Sequence, residues 1–168
     1  MRSRGFTLVE LLLVLTILGI LAGGAVTMRN TDAHELDGTA RQVAADLLQA
    51  QQLAIAHRLP IGLSFDDDFT GPTFVLADGT ALADAETTLR ARSDLDSQAV
   101  DRLLVQSPRT ASGLGPATAV AGFGGSDLVV FAADGTPSAG GTVQLTLGKS
   151  VLNVRCAPVT GRVAVTAP

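Results

Sequence analysis

A long apolar run near the amino terminus constrains this chain more than any other feature. Between residues 6 and 28 the only ionisable side chain is Glu10. A helix of about 20 apolar residues crosses a bilayer, so the run has membrane length. Arg2 and Arg4 precede it, and positive charge is retained on the cytoplasmic side. The sequence predicts one spanning helix, with its N-terminus in the cytoplasm and the rest of the chain outside.

A cleaved secretory signal peptide is the simpler alternative. Such a peptide has a basic region, an apolar core of roughly 7–15 residues and a cleavage site of small residues. The run in this chain is longer, although "LAGGAV" at residues 21–26 offers small residues for cleavage. Cleavage there leaves Glu10 unexplained, because a carboxylate in hydrocarbon costs about 2.5–3.5 kcal/mol, and less near the interface.

The stretch "RGFTLVELLLVLTILGILAG" resembles the N-termini of type IV prepilins and of the pseudopilins of type II secretion. Those proteins have a short basic leader ending in Gly, then an aromatic residue, a Thr, two apolar residues, a Glu and a long apolar helix. Gly5, Phe6, Thr7 and Glu10 match this pattern position by position. The resemblance implies that a prepilin peptidase cleaves between Gly5 and Phe6 and methylates the new amine of Phe6. The helix then stays on the mature subunit, in the inner membrane and later in a filament.

Glu10 fits this scheme as a residue of subunit assembly, together with Phe6 and Thr7. Acids inside a membrane are rare and usually paired. The positive amine of Phe6 on an adjacent subunit is the natural partner, and such a pair would fix the axial register between neighbours. The alternative is a carboxylate that only extends to the lipid headgroups.

A second helix is predicted after the apolar run, over residues 32–58. Its apolar residues recur at spacings of four and three, which is one face of an amphipathic helix: Leu36, Ala40, Val43, Leu47, Ala50 and Ala54. The polar residues Asp32, Arg41, Asp46 and Gln49 fall mostly elsewhere around it. Pro60 ends the pattern. One continuous helix over residues 6–58 would be about 80 Å long.

The remainder, residues 61–168, is predicted to be rich in β-structure. Apolar-rich strands bounded by turn residues are predicted at residues 61–65, 73–80, 127–135, 141–147, 150–156 and 161–167. Residues 102–106 are a possible short strand, and residues 107–126, rich in Gly, Ser, Thr and Pro, are predicted to be a loop. The fold class predicted is α+β, with the second helix packed on an antiparallel sheet.

Both ends of the chain resemble the H-type minor pseudopilins and the related FimT-like minor pilins. The resemblance rests on "AQQLAIAHRLPIGLSF", on the strand-turn from Phe131 to Gly135, and on Gly161 and Arg162 in the closing strand. It implies the pilin fold, with a leader at residues 1–5, an anchor and filament-core helix at 6–28 and a periplasmic head at 29–168. Major pseudopilins, the near alternative, carry an early proline and a tyrosine-containing segment. This chain has no Tyr.

Little in the sequence indicates chemistry, and no enzyme activity, cofactor or metal is predicted. "LGKS" at residues 147–150 lacks the first glycine of a phosphate-binding loop and lies in a strand-turn-strand context. Residues 122–127, "GFGGSD", are interpreted as a flexible loop. Cys156 is interpreted as a small buried hydrophobe. His57 suits the C-terminal end of its helix. Asp66, Asp67 and Asp68 leave open a calcium site or a solvated turn.

The resemblance implies a structural minor pseudopilin near the tip of a type II secretion pseudopilus. Its partners would be other minor and major pseudopilins, the prepilin peptidase, the inner-membrane assembly platform and, before assembly, lipid. One alternative is a FimT-like minor pilin acting in pilus assembly or DNA uptake, and another is an anchored envelope hydrolase. From Val120 onward three bases stand against two acids, a net charge of only +1, and the chain has no Trp or Tyr. Both observations argue against nucleic-acid binding.

Overall fold

The computed structural model describes residues 8–27, 31–65, 71–91, 95–106 and 114–168. Over these residues the helices are α1 (Leu8–Thr27), α2 (Thr31–His57), α3 (Glu86–Arg90) and α4 (Ser97–Gln106). The strands are β1 (Ile61–Ser64), β2 (Thr73–Leu76), β3 (Thr118–Phe123), β4 (Leu128–Phe131), β5 (Gly141–Leu147), β6 (Ser150–Cys156) and β7 (Val163–Thr166). The predicted continuity between α1 and α2 falls on residues 28–30, outside the described residues.

Helix α2 forms where the four-and-three spacing predicts it, and it is the central element of the head. All six residues of the predicted stripe, from Leu36 to Ala54, are at most 1% exposed. The stripe packs against β1, β5, β6 and β7. One residue departs from expectation: Asp46, placed with the polar faces by the sequence, is only 4% exposed.

The described strands form two antiparallel sheets, with orders β2-β1-β4 and β3-β5-β6-β7. In strand β1, Ile61, Gly62 and Leu63 are all buried, because β1 is the middle strand of its sheet and α2 packs on it. The buried rings of Phe65, after β1, and Phe123, at the end of β3, stack with centroids 5.9 Å apart. This pair joins the two sheets.

Two local predictions were wrong. Residues 102–106 are not a strand but the second half of α4, which buries Val100 and Leu103, three residues apart, on one face. Residues 107–126 contain a strand within the predicted loop, because β3 pairs with β5 along its whole length. Alternate residues of β3 face the core, although most of them are as small as Ala119.

The stretch at residues 122–127 is a tight turn instead of an open loop. The amide of Phe123 donates to the carbonyl of Ser126 at 2.7 Å, and the amide of Ser126 donates back at 3.1 Å. Gly124 and Gly125 between them have φ values of +61° and +93°. Two consecutive left-handed residues are typical of a two-residue hairpin turn, which glycine adopts without steric cost.

Candidate assembly site

Helix α1 presents an apolar surface that no other described part of the chain covers. Residues 8–20 are all exposed, and their large apolar side chains range from 46% exposed at Val14 to 81% at Leu8. The hydroxyl of Thr16 donates to the carbonyl of Leu13 at 2.8 Å, so it is satisfied within the helix. Apolar surfaces of this extent mark contact with other proteins or with a membrane. Within the described residues, no helix meets the combined requirement of length and apolar character for crossing a membrane.

Glu10 lies on this surface, in the first turn of α1, and is exposed. A carboxylate in the first turn of a helix is stabilised by the positive end of the helix dipole. The other residues predicted for processing and assembly, Gly5, Phe6 and Thr7, lie outside the described residues. The pairing of Glu10 with the amine of Phe6 therefore stays a prediction.

The strand-turn at residues 131–135 closes against the C-terminal half of α2. Phe131 is fully buried, and Gly135 adopts φ +84° as its amide donates to the carbonyl of Ala132 at 2.8 Å. The carboxylate of Asp134 accepts hydrogen bonds from the hydroxyl of Thr136 at 2.6 Å and from its amide at 2.9 Å. These hydrogen bonds hold the pKa of Asp134 below its ordinary value, and the bond from the hydroxyl has the larger effect.

Gln51 of α2 ties both C-terminal segments to the helix. Its Nε2 donates to the carbonyl of Gly135 at 2.8 Å and to the carbonyl of Thr160 at 3.2 Å. The first acceptor belongs to the 131–135 turn, and the second directly precedes Gly161. We call this arrangement the Gln51 clamp. It joins α2 to positions 84 and 109 residues further along the chain.

The glycines of the clamp suit the backbone conformation, and a Cβ at either position would displace the end of a neighbouring side chain. A Cβ on Gly135 would lie 2.7 Å from Cδ1 of Ile55. A Cβ on Gly161, where φ is +64°, would lie 2.5 Å from Nε2 of Gln51. Both contacts are closer than real Cβ atoms allow. Two of the three stretches that suggested the H-type resemblance, the 131–135 turn and the segment at Gly161, thus meet at Gln51, which lies in the third.

Gln51 lies within the stretch "AQQLAIAHRLPIGLSF" that carries part of the H-type resemblance, but sequence reasoning gave this residue no role of its own. Gln51 directly follows Ala50 of the buried stripe, and nothing in the local sequence shows which carbonyls its side chain reaches. Its partners are fixed by the tertiary fold alone.

The other residues that were considered for a chemical role either have a structural role or lie outside the described residues. Cys156 is 1% exposed, as predicted, and burial raises the pKa of its thiol. "LGKS" is the turn of the β5–β6 hairpin, in the predicted strand-turn-strand context. The three aspartates at residues 66–68 lie outside the residues that the structure describes. Among the described residues, no group of three or more His, Cys, Asp or Glu side chains could hold a metal ion.

The chain is similar to known proteins along most of its length. Residues 1–26 match the prokaryotic N-terminal methylation motif, and residues 39–161 match the family described as type II transport protein GspH. The pilin-like protein PilA1 of Thermus thermophilus is 37% identical over 81 residues, which are 48% of this chain and 52% of that protein. The chain therefore spans about half the length of this curated relative.

Two solved structures share the fold. The type IV minor pilin FimU of Pseudomonas aeruginosa superposes with a TM-score of 0.56 at 19% identity, over 82% of this chain and 96% of that one. The minor pseudopilin EpsH of the Vibrio cholerae type 2 secretion system gives a TM-score of 0.52 at 15% identity, over 80% and 98%. These likenesses confirm the predicted α+β pilin fold. With a prepilin methylation motif followed by a domain that covers most of the remaining chain, the protein belongs to the GspH family of type II transport proteins.

Proposed function

We propose that this chain is a minor pseudopilin of a type II secretion system, a structural subunit without catalytic activity of its own. The observation that carries the proposal is the apolar surface of α1, exposed along residues 8–20 with Glu10 in its first turn. Membership of the GspH family supports the same function. In a filament this surface would contact other pilin-like subunits, and before assembly it would contact lipid.

The proposed organisation follows from this function. Residues 1–5 are a leader removed by the prepilin peptidase, which cleaves after Gly5 and methylates Phe6. Residues 6–28 anchor the subunit in the inner membrane with the N-terminus in the cytoplasm, and residues 29–168 form the periplasmic head. The proposed partners are other minor and major pseudopilins and the inner-membrane assembly platform.

Glu10 is proposed to set the register between subunits by pairing with the methylated amine of Phe6 on a neighbour. An exposed ion pair contributes only about 0–1 kcal/mol. A pair shielded from water is stronger, although the cost of removing both charges from water limits the net gain. Thr7 lies between the two groups in sequence and is assigned to the same contact.

The test replaces Glu10 with Gln in the full-length protein and measures recovery with partner pseudopilins from detergent-solubilised membranes. We expect the Gln variant to be inserted and cleaved normally but to co-purify poorly, because it keeps the shape of the side chain and loses the charge. Glu35→Gln is the matched control, since Glu35 is an exposed carboxylate on α2. Equal recovery of Glu10→Gln and wild type would contradict the proposed register contact.

A FimT-like type IV minor pilin, acting in pilus assembly or DNA uptake, is the second candidate. The observation in its favour is the 37% identity with a protein named as pilin-like. Deleting the gene separates the two functions: loss of secreted proteins with intact pili indicates secretion, and loss of pili or transformation indicates the pilus system.

A further inference from the structure

A basic cavity lies at the C-terminal end of α2, where α2 approaches α4. It has a volume of about 290 Å³ and is lined by Ala56, His57, Arg58, Ala99 and Arg102. Three of these five residues carry nitrogen donors, and no described carboxylate lines the cavity. This composition is unexpected in a chain whose net charge is −4.

The guanidinium groups of this cavity are not neutralised by described neighbours. Neither Arg58 nor Arg102 forms an ion pair with any residue that the structure describes. Among the described residues, the hydrogen bond of Arg102 goes to the carbonyl of Gln98 in its own helix, at 3.2 Å. The adjacent acid, Asp101, is held instead by Arg90 at 2.7 Å.

The backbone at Arg58 is in a conformation that favours glycine. Arg58 has φ +53°, and it follows the last residue of α2. The amide of Leu59 donates to the carbonyl of Ala54 at 3.2 Å, and the amide of Arg58 donates to that of Ile55 at 3.4 Å. This is the left-handed helix cap usually made by Gly. It also satisfies two terminal carbonyls, which weakens the negative field that an anion would meet at this end.

The simplest role for the basic residues at the C-terminal end of α2 is to stabilise the negative end of its helix dipole. His57 and Arg58 at the last turn fit that role. It does not account for Arg102, which lies within α4 and faces the same cavity. Two arginines and a histidine that line one small cavity supply the kind of donors that oxyanion recognition uses.

We propose that this cavity binds an oxyanion, either a free phosphate or the carboxylate of an acidic side chain on another polypeptide. The volume lies at the lower limit of ligand pockets, which span roughly 300–1,000 Å³, so it suits one such group and not a nucleotide. Arg58 and Arg102 would donate charge-assisted hydrogen bonds, with His57 as a third donor. The proposal does not depend on the assembly function of α1.

The test uses full-length protein in detergent micelles, titrated with sodium phosphate at constant ionic strength and, separately, with a tetra-aspartate peptide. The readout is the NMR signal of the guanidinium Nε–H groups. We expect saturable shifts at Arg58 and Arg102. Arg102→Gln and Arg58→Gly should each weaken binding by about tenfold, the effect of losing one charge-assisted hydrogen bond. Arg155→Gln is the control, because Arg155 is exposed on β6, outside the cavity.

Arg58→Gly separates binding from structure. A purely structural role predicts that Gly at this left-handed position keeps or raises the melting temperature and changes nothing else. The proposal predicts the same thermal behaviour together with a loss of anion binding. Tighter binding of tetra-aspartate assigns the site to polypeptide carboxylates, and tighter binding of phosphate assigns it to free phosphate. The absence of saturable shifts with both probes, or an equal loss in Arg155→Gln, would overturn the proposal.

Discussion

Single residues determine how the C-terminal segments of this head are held. Gln51 is half-buried, and one amide group donates to carbonyls in two separate loops. Gly135 carries one of these carbonyls and is buried. A buried carbonyl that loses its donor keeps its full desolvation penalty, about 1–3 kcal/mol. The Gln51 clamp is therefore a site where small changes have large effects.

Gly161→Ala should destabilise the protein more than Gly79→Ala, by about 1–2 kcal/mol. Both glycines have left-handed φ values, +64° and +85°, so both variants carry a similar backbone strain. Only at Gly161 does the new Cβ meet another group, Nε2 of Gln51, because nothing lies within 4 Å of it at Gly79. The excess corresponds to displaced hydrogen bonds of the clamp.

Urea unfolding followed by circular dichroism measures this difference. The excess loss should shrink when Gly161→Ala is made in a Gln51→Ala background, since the clash partner is gone and the two effects are not additive. Equal destabilisation by the two glycine variants would show that Gln51 moves away from the new Cβ without a measurable loss of stability.

Thr136→Val should raise the pKa of Asp134 towards its ordinary value. The side-chain hydrogen bond from Thr136 is the main cause of the lowered pKa, and Val removes it while keeping the shape and the backbone amide. Because the folded-state pKa is depressed, this carboxylate stabilises the fold above its ordinary pKa. That contribution is lost as the pH falls through the folded value. Carbon-13 NMR titration of the carboxyl group measures the shift, and an unchanged pKa would assign the effect to the backbone bond alone.

At the scale of elements, periodic patterns were predictable and weakly patterned ones were not. The stripe of α2 repeats over five spacings with Leu, Val and Ala, so its buried face follows from the 3.6-residue period. In α4, Val100 and Leu103 are buried in a helix of ten residues, and the run "RLLVQ" is as compatible with a short strand as with a helix. Strand β3 is built largely from Ala, Gly and Thr, and its conformation depends on pairing with β5.

Leu47→Ala should destabilise the head by about 2–5 kcal/mol, whereas Leu48→Ala should cost about 0.5 kcal/mol. Leu47 is 0% exposed on the stripe that packs on the sheets, and Leu48, the next residue, is 42% exposed. The two substitutions remove the same atoms from adjacent positions of one helix. Thermal unfolding compares them, and similar losses would show that α2 is rotated so that Leu48 also packs on the sheets.

For the whole molecule, the sequence located the processing motif but not the interior contacts. Gly5, Phe6, Thr7 and Glu10 form a local pattern that can be read without a fold. Gln51, Asp46 and the cavity of Arg58 and Arg102 depend on segments brought together by tertiary packing. Such long-range contacts have no short-range sequence signature, which is why this part of the site could not be predicted.

Processing should remove five of the 168 residues and leave 163, beginning with methylated Phe6. Gly5→Val should block cleavage, because the resemblance implies a peptidase that requires Gly before the cut, and Ser3→Val is a control within the leader. Intact mass of the protein extracted from membranes measures both variants. A mature N-terminus beyond Ala22 would contradict the proposed pilin-type processing.

Because Cys156 is buried, the reactivity of its thiol can be used to measure the local stability of the protein. The thiolate is the reactive form, and this thiol is both buried and raised in pKa, so we expect alkylation to require local opening around the C-terminal end of β6. No second cysteine competes for the reagent, and the chain has no Trp or Tyr for intrinsic fluorescence. The rate of alkylation at increasing reagent concentration then reports the free energy of local opening at the sheet that α2 covers.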